Sequence, residues 1–181
     1  SYNDEFLYPK KGAETFIKAL IESISPRNVV LNTTLEKVDI NNKYIVVQNR
    51  SDYYKIYYEK LINTMPFHTF LKRMDSKMMS ELSNELTYNK VLVFNIGFDR
   101  DAANFSGIHW IYFPDKNINF YRVGFYSNIL RARNMSIYVE IGFSKYDSID
   151  VEAEYVKTIE ALKMVGIIKN HVVVNYEAKI M

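Results

Sequence analysis

Four strand-like segments follow one another at residues 91–98, 108–113, 119–126 and 136–143. The connectors between them, "DRDAANFSG", "PDKN" and "NILRARNM", read as turns and loops. A crossover to a parallel neighbour needs roughly a dozen residues or more, whereas antiparallel neighbours tolerate short links. The spacing therefore predicts an antiparallel sheet of about four strands. Alternation then assigns faces. In "HWIYFPDKNINFYRVGFY", residues 109–126, it sets His109, Ile111 and Phe113 against Trp110 and Tyr112. On the next strand it sets Phe120, Arg122 and Gly124 against Tyr121, Val123 and Phe125. One face is predicted to be core. The other presents aromatics and Arg122, either as the rim of a packed sheet or as an aromatic wall of a ligand cavity.

The rest of the chain supplies helices and a second set of strands. Ala13, Phe16, Ile17, Leu20, Ile21 and Ile24 form the stripe of a one-sided helix, with Gly12 as N-cap and Pro26 forcing the exit. "VVLNTTLEKVDI" and "KYIVVQN" read as strands joined at Asn41-Asn42, and a third strand lies around residues 54–57. Leu61 and Ile62 follow, and the run stops at Thr64-Met65-Pro66. Residues 67–82 are expected to be helical. Asp150 caps a helix whose apolar face is Val151, Tyr155, Val156, Ile159 and Leu162, and Gly166 closes it. "HVVVNYEAKI" is expected to be a last strand. The fold class expected is α+β.

Composition removes several classes of chemistry. There is no cysteine, so disulfides, thiolate metal sites, iron–sulfur clusters and cysteine nucleophiles are excluded. The net charge of +2 and the scattered lysines and arginines argue against a nucleic-acid surface. No apolar run reaches the length of a membrane span and no signal peptide is visible, so the expectation is a soluble, cytoplasmic protein. The chain starts without Met and ends inside a strand-like segment, which suggests an excised piece of a longer polypeptide.

Motifs for direct catalysis are missing. His68, His109 and His171 are far apart in sequence and predict no metal site. There is no Gly-x-Ser-x-Gly elbow and no glycine-rich phosphate loop. Asp99 and Asp101 fall in a turn, which suits solvated aspartates better than an acid/base pair. "PKKG", residues 9–12, is either an ordinary loop entering a helix or an anion site at the helix start.

The order of segments carries a resemblance. "YPKKGAETFIKALIESI", then "VVLNTTLEKVDINNKYIVV", then "YYEKLINTMP" resembles the interior of the flavin-dependent amine oxidase superfamily. That superfamily includes protoporphyrinogen oxidases, phytoene desaturases and UDP-galactopyranose mutases. Its pattern is an aromatic-Pro-x-Gly-Gly loop and helix, a β-meander, and a strand ending near a Thr-x-Pro. Here these become residues 8–12, 33–38 and 61–66, with Ala13 where a second glycine is usual. "HWIYFPDKNINFYRVGFYSN" is similar to superfamily members encoded in polysaccharide and lipopolysaccharide gene clusters. The glycine-rich dinucleotide fingerprint of the superfamily is absent from this sequence.

The resemblance implies two parts, a partial FAD-binding lobe at 1–66 and a substrate lobe at 67–181. It implies FAD as cofactor, held weakly by this piece alone, with backbone groups of Leu35 near the adenine and Thr64, Met65 and Pro66 near the same end. It implies that Tyr8, Lys10 and Lys11 serve the substrate side, and that Trp110, Tyr112 and Tyr121 line the substrate cavity. A nucleotide sugar or another anionic small molecule would suit the two lysines. The expected activity is that of an FAD-dependent oxidoreductase in cell-surface polysaccharide synthesis, inactive as this piece alone. One rival is a mutase without net redox change. Another is a cofactor-free module with an aromatic groove. Removal from a longer chain would also leave apolar surface uncovered in the first third, predicting self-association.

Overall fold

The computed structural model describes residues 7–181. In chain order the elements are α1 (Glu14–Glu22), β1 (Thr33–Asp39), β2 (Tyr44–Asn49), β3 (Asp52–Tyr57), α2 (Phe67–Lys72), α3 (Lys77–Glu85), β4 (Asn89–Phe98), β5 (Trp110–Tyr112), β6 (Arg122–Phe125), α4 (Tyr126–Leu130), β7 (Ser136–Ser144), α5 (Val151–Met164) and β8 (Val173–Ile180). The strands form a three-stranded sheet, β1-β2-β3, and a five-stranded sheet, β5-β6-β7-β4-β8. Every strand pair within them is antiparallel. The fold is α+β. Two compact units result. One is Ala19–Thr87; the other joins the chain up to Lys18 with Tyr88–Met181.

In the Ala19–Thr87 unit, Asp39 makes the β1–β2 turn. Its carboxylate accepts from the backbone N–H of Asn42 at 2.8 Å and from the Asn42 amide at 2.9 Å. Lys43 completes the turn at φ 53°. Residues 67–82, expected as one helix, are two helices. Between them the chain runs beside β1: Val38 donates to Arg73 O at 2.8 Å, and Met74 bridges Val38 in parallel. A helix cannot lend its backbone to a neighbouring strand, so it breaks there. Ser76 restarts it by accepting from the N–H of Met79. These bonds, with the Arg73–Glu36 and Lys37–Asp75 pairs, bind residues 67–87 to the meander. The division by contact falls after Thr87. The stripe of α1 exists as its period requires, yet the helix buries no residue, and Phe16, Ile17, Leu20 and Ile21 are exposed.

The second unit holds most of the core. Leu92, Phe94, Ile96 and Phe98 of β4 share one sheet face with Ile137, Val139 and Ile141 of β7 and Val123 and Phe125 of β6. Helix α5 covers this face through Tyr155, Ile159, Ala161 and Leu162. The Asp150 carboxylate caps it by accepting from Ala153 N–H at 3.1 Å. Gly166 ends it at φ 77°, where a Cβ would be strained. The terminal strand-like segment joins the sheet as β8 beside β4, making five strands.

Two details depart from the alternation. Residues 126–130, inside the expected strand end and connector, form the short helix α4, closed by Arg131 in the left-handed region at φ 55°. The strand expected at 119–126 is ordered as β6 only from Arg122. Tyr121 sits in a bend just before it, so the side-chain phase slips there. Phe120 turns into the core beside Phe113. Tyr121 lands on the same side as Arg122, the reverse of the expected pairing.

Candidate functional site

The face of the five-stranded sheet opposite α5 is polar and aromatic. Register explains this. Tyr112 pairs with Arg122, which pairs with Glu140, which pairs with Val93. One step along, Trp110 pairs with Gly124, Gly124 with Tyr138 and Tyr138 with Asn95. Residues paired across antiparallel strands share a face. Two rows of side chains thus cross the sheet. Of these, Val93, Asn95, Trp110, Arg122, Tyr138 and Glu140 line a cavity of about 410 Å³ together with Tyr8, Tyr126, Ile129, Lys179 and Met181.

Glu140 is the centre of this face, with its side chain only 10% exposed. One carboxylate oxygen accepts from Arg122 Nη2 at 2.5 Å and the other from the Tyr121 hydroxyl at 2.5 Å. Arg122 Nη1 donates to the Tyr112 hydroxyl at 3.3 Å. The guanidinium also lies near the rings of Tyr112 and Tyr138, at 5.8 and 5.7 Å from their centroids. Its Nε, shielded from solvent, has no hydrogen-bond partner, and neither has Asn95 Oδ1. The Glu140 bond, acting against desolvation, holds Arg122 firmly charged. Burial first, then the bond to Glu140, pushes the Tyr121 phenol up to about 12. Burial likewise pushes up the phenols of Tyr126 and Tyr138. Tyr121, Tyr126 and Tyr138 therefore act as neutral hydroxyls or ring faces near neutral pH, with a fixed cation among them.

A close approach shapes the floor. A Cβ on Gly124 would stand 2.0 Å from the Tyr138 ring, so glycine lets that ring lie flat across the strand. Tyr138 then meets Tyr126, with ring centroids 4.9 Å apart.

The structure brings some of the expected site residues together. Tyr8 and Trp110 line the cavity, and Tyr112 and Tyr121 join it through Arg122 and Glu140. Lys10 and Lys11 are exposed in the turn closed by Gly12 N–H on Pro9 O, outside the residues lining that cavity. Leu35 is half-buried on β1, an edge strand with a bulge between Leu35 and Lys37. Thr64 and Pro66 are exposed; Met65 N–H donates to the Asn63 side chain, and Pro66 precedes α2. Glu140, Tyr138 and Asn95 escaped the sequence reading. Cross-strand register was the missing information; an acidic residue inside the otherwise apolar "IYVEIGF" was the available signal. Asp99 is tied to Arg100 and to Val172 N–H, which hold its carboxyl down at about 2, as a turn aspartate rather than an acid/base partner of Asp101. Among the described residues no group of three or more His, Cys, Asp or Glu could hold a metal ion. None of the described helices is long and apolar enough to cross a membrane.

No family model matches the chain. Solved structures do share its fold. A structure of reduced UDP-galactopyranose mutase superposes with a TM-score of 0.84 at 18% identity, over 96% of this chain and 40% of that one. The CLA-producing fatty acid isomerase from P. acnes gives 0.59 at 10% identity over 93% of this chain and 39% of that one. The PF1083 protein from Pyrococcus furiosus gives 0.60 at 9% identity over 81% and 36%. The chain thus has the fold of about two-fifths of the mutase.

Proposed function

We propose that this chain is part of an FAD-dependent enzyme acting on a nucleotide sugar, or a closely related anionic sugar, in cell-surface polysaccharide synthesis. One observation carries the reading. The fold that covers nearly the whole chain is that of a UDP-galactopyranose mutase, and its five-stranded sheet turns an aromatic face with a fixed cation toward a cavity. The sequence resemblance to flavin-dependent amine oxidases supports the same cofactor independently of that superposition.

In this reading the residues have separate tasks. Arg122 offers charge and N–H donors to an anionic group. Trp110, Tyr8 and Tyr126 offer ring faces to a sugar or base. The edge of β1 at Leu35 leaves backbone groups open to a planar heterocycle, and the exposed Thr64–Pro66 segment serves the same cofactor. FAD, when bound, supplies the electron chemistry. Oxidation and ring isomerisation need the same parts from this chain, and the likeness to a mutase favours isomerisation.

The test is the visible spectrum of the full-length polypeptide as purified, followed by incubation of the reduced protein with UDP-sugars. Flavin bands near about 375 and 450 nm are expected, and a sugar ring isomer is the expected product. An oxidised sugar would shift the reading to the oxidoreductase. A protein that stays colourless after incubation with FAD would overturn it in favour of a cofactor-free binding module.

A further inference from the structure

Glu140 pairs with Arg122 in an unusual way for a structural ion pair. Arginine and carboxylate commonly meet through two parallel bonds, which satisfy both groups at once. Here the carboxylate divides its oxygens: one takes Arg122 Nη2 and the other takes the Tyr121 hydroxyl. The guanidinium is held by that bond, by Tyr112 on Nη1, and by two tyrosine rings. Its Nε–H is shielded and without a partner, while the side chain as a whole is 32% exposed and lines the cavity. A guanidinium has five N–H donors, and the bonds described to Glu140 and Tyr112 employ Nη2 and Nη1 only. A charge that is fixed in place but not saturated is arranged to meet something else.

We infer that Glu140 is a positioning residue: it orients Arg122 so that the remaining donors meet an anionic group of the ligand in the cavity. This rests on the reading of the cavity as a substrate site. Tyr121 is the second anchor. It ties the other carboxylate oxygen to the bend before β6, so the carboxylate cannot rotate away from Arg122 without losing a bond. The Tyr138 ring, lying across Gly124, closes the far side of the guanidinium.

The experiment uses the full-length polypeptide and inorganic pyrophosphate as probe, with titration calorimetry as readout. Glu140→Gln keeps the volume but removes the charge and leaves one acceptor oxygen where two are used. It should weaken pyrophosphate binding by about tenfold to a hundredfold, the range for loss of a charged hydrogen bond. Glu140→Asp, which restores the charge, should recover part of it. A structural ion pair would lower thermal stability in Glu140→Gln and leave the affinity unchanged; a mere counter-charge would let Glu140→Gln bind more tightly. Either result overturns the inference, as does wild-type protein that ignores pyrophosphate while carrying flavin. Should Glu140→Gln fail to fold, Tyr121→Phe frees one carboxylate oxygen without a charge change. It should weaken binding by about two- to fivefold, because the phenol acts on the ligand only through the carboxylate, and no change would again overturn the inference. A colourless protein whose pyrophosphate affinity still depends on Glu140 would overturn the proposed flavoenzyme and uphold the positioning role.

Discussion

The two faces of the five-stranded sheet are built from the same strands and differ in almost everything else. On the α5 side Leu92, Phe94, Val139 and Val123 are sealed and interchange only dispersion contacts. On the other side the residues between them, Glu140, Arg122, Tyr138 and Asn95, are bound by directional bonds around a cavity. Alternation sends successive side chains to opposite faces. A strand can therefore carry stability and recognition at once, with little cross-talk. Substitutions should sort by face: changes on the α5 side move stability alone, whereas changes on the cavity side also move ligand binding.

The largest expected effect is Phe94→Ala. Phe94 is fully buried and its ring meets Tyr155 of α5 and Tyr176 of β8. Truncation should destabilise the fold by about 3–5 kcal/mol, measured by urea denaturation of the full-length polypeptide. A loss below about 1 kcal/mol would mean that this face is not the core. Next is Gly124→Ala on the cavity side. Its Cβ must displace the Tyr138 ring, which should cost about 1–3 kcal/mol and also weaken pyrophosphate binding. A loss of stability with affinity intact would mean that the Tyr138 ring does not shape the cavity.

Asp150→Ala removes the cap of α5, whose other face packs on the core. About 1 kcal/mol should be lost, with no change in ligand affinity; calorimetry of both quantities checks this. The smallest effect concerns pH. The Tyr121 phenol titrates near 12 in the folded protein against an ordinary value of 10. A raised folded value means stability that is complete below pH 10 and is lost as pH rises toward 12. Tyr121→Phe should flatten that alkaline decline, as followed by denaturation midpoints between about pH 9 and 11. An unchanged slope would show that the Tyr121 phenol is not held by Glu140.

Much of the architecture was legible along the chain. The helical stripe at 151–162 with its Asp150 cap, the meander turn at Asn41-Asn42, and the antiparallel order of the β-rich block all follow from local periodicity and turn chemistry. What local signals missed were places where a neighbour intervened. The helix expected at 67–82 breaks because β1 claims the backbone of Arg73 and Asp75. The strand phase slips at Tyr121 because Phe120 is drawn into the core and Glu140 offers the phenol an acceptor. Of the residues proposed for substrate, Trp110 and Tyr8 meet at one cavity while Lys10 and Lys11 stay in an exposed turn. The apolar stripe of α1 was legible too; periodicity shows that a face is apolar and says nothing of what covers it, and here the stripe is exposed.

The sequence by itself determined the local rules: which segments are strands, where the turns fall, which residues are apolar, and which chemistries the lack of cysteine forbids. Only the tertiary structure decided that Glu140, Arg122, Tyr121, Tyr112 and Tyr138 form one cluster. These residues come from three strands and a bend, and their meeting depends on register. A shift of one residue in that register would send each of them to the opposite face. Register is a property of paired strands, so no single strand's sequence contains it.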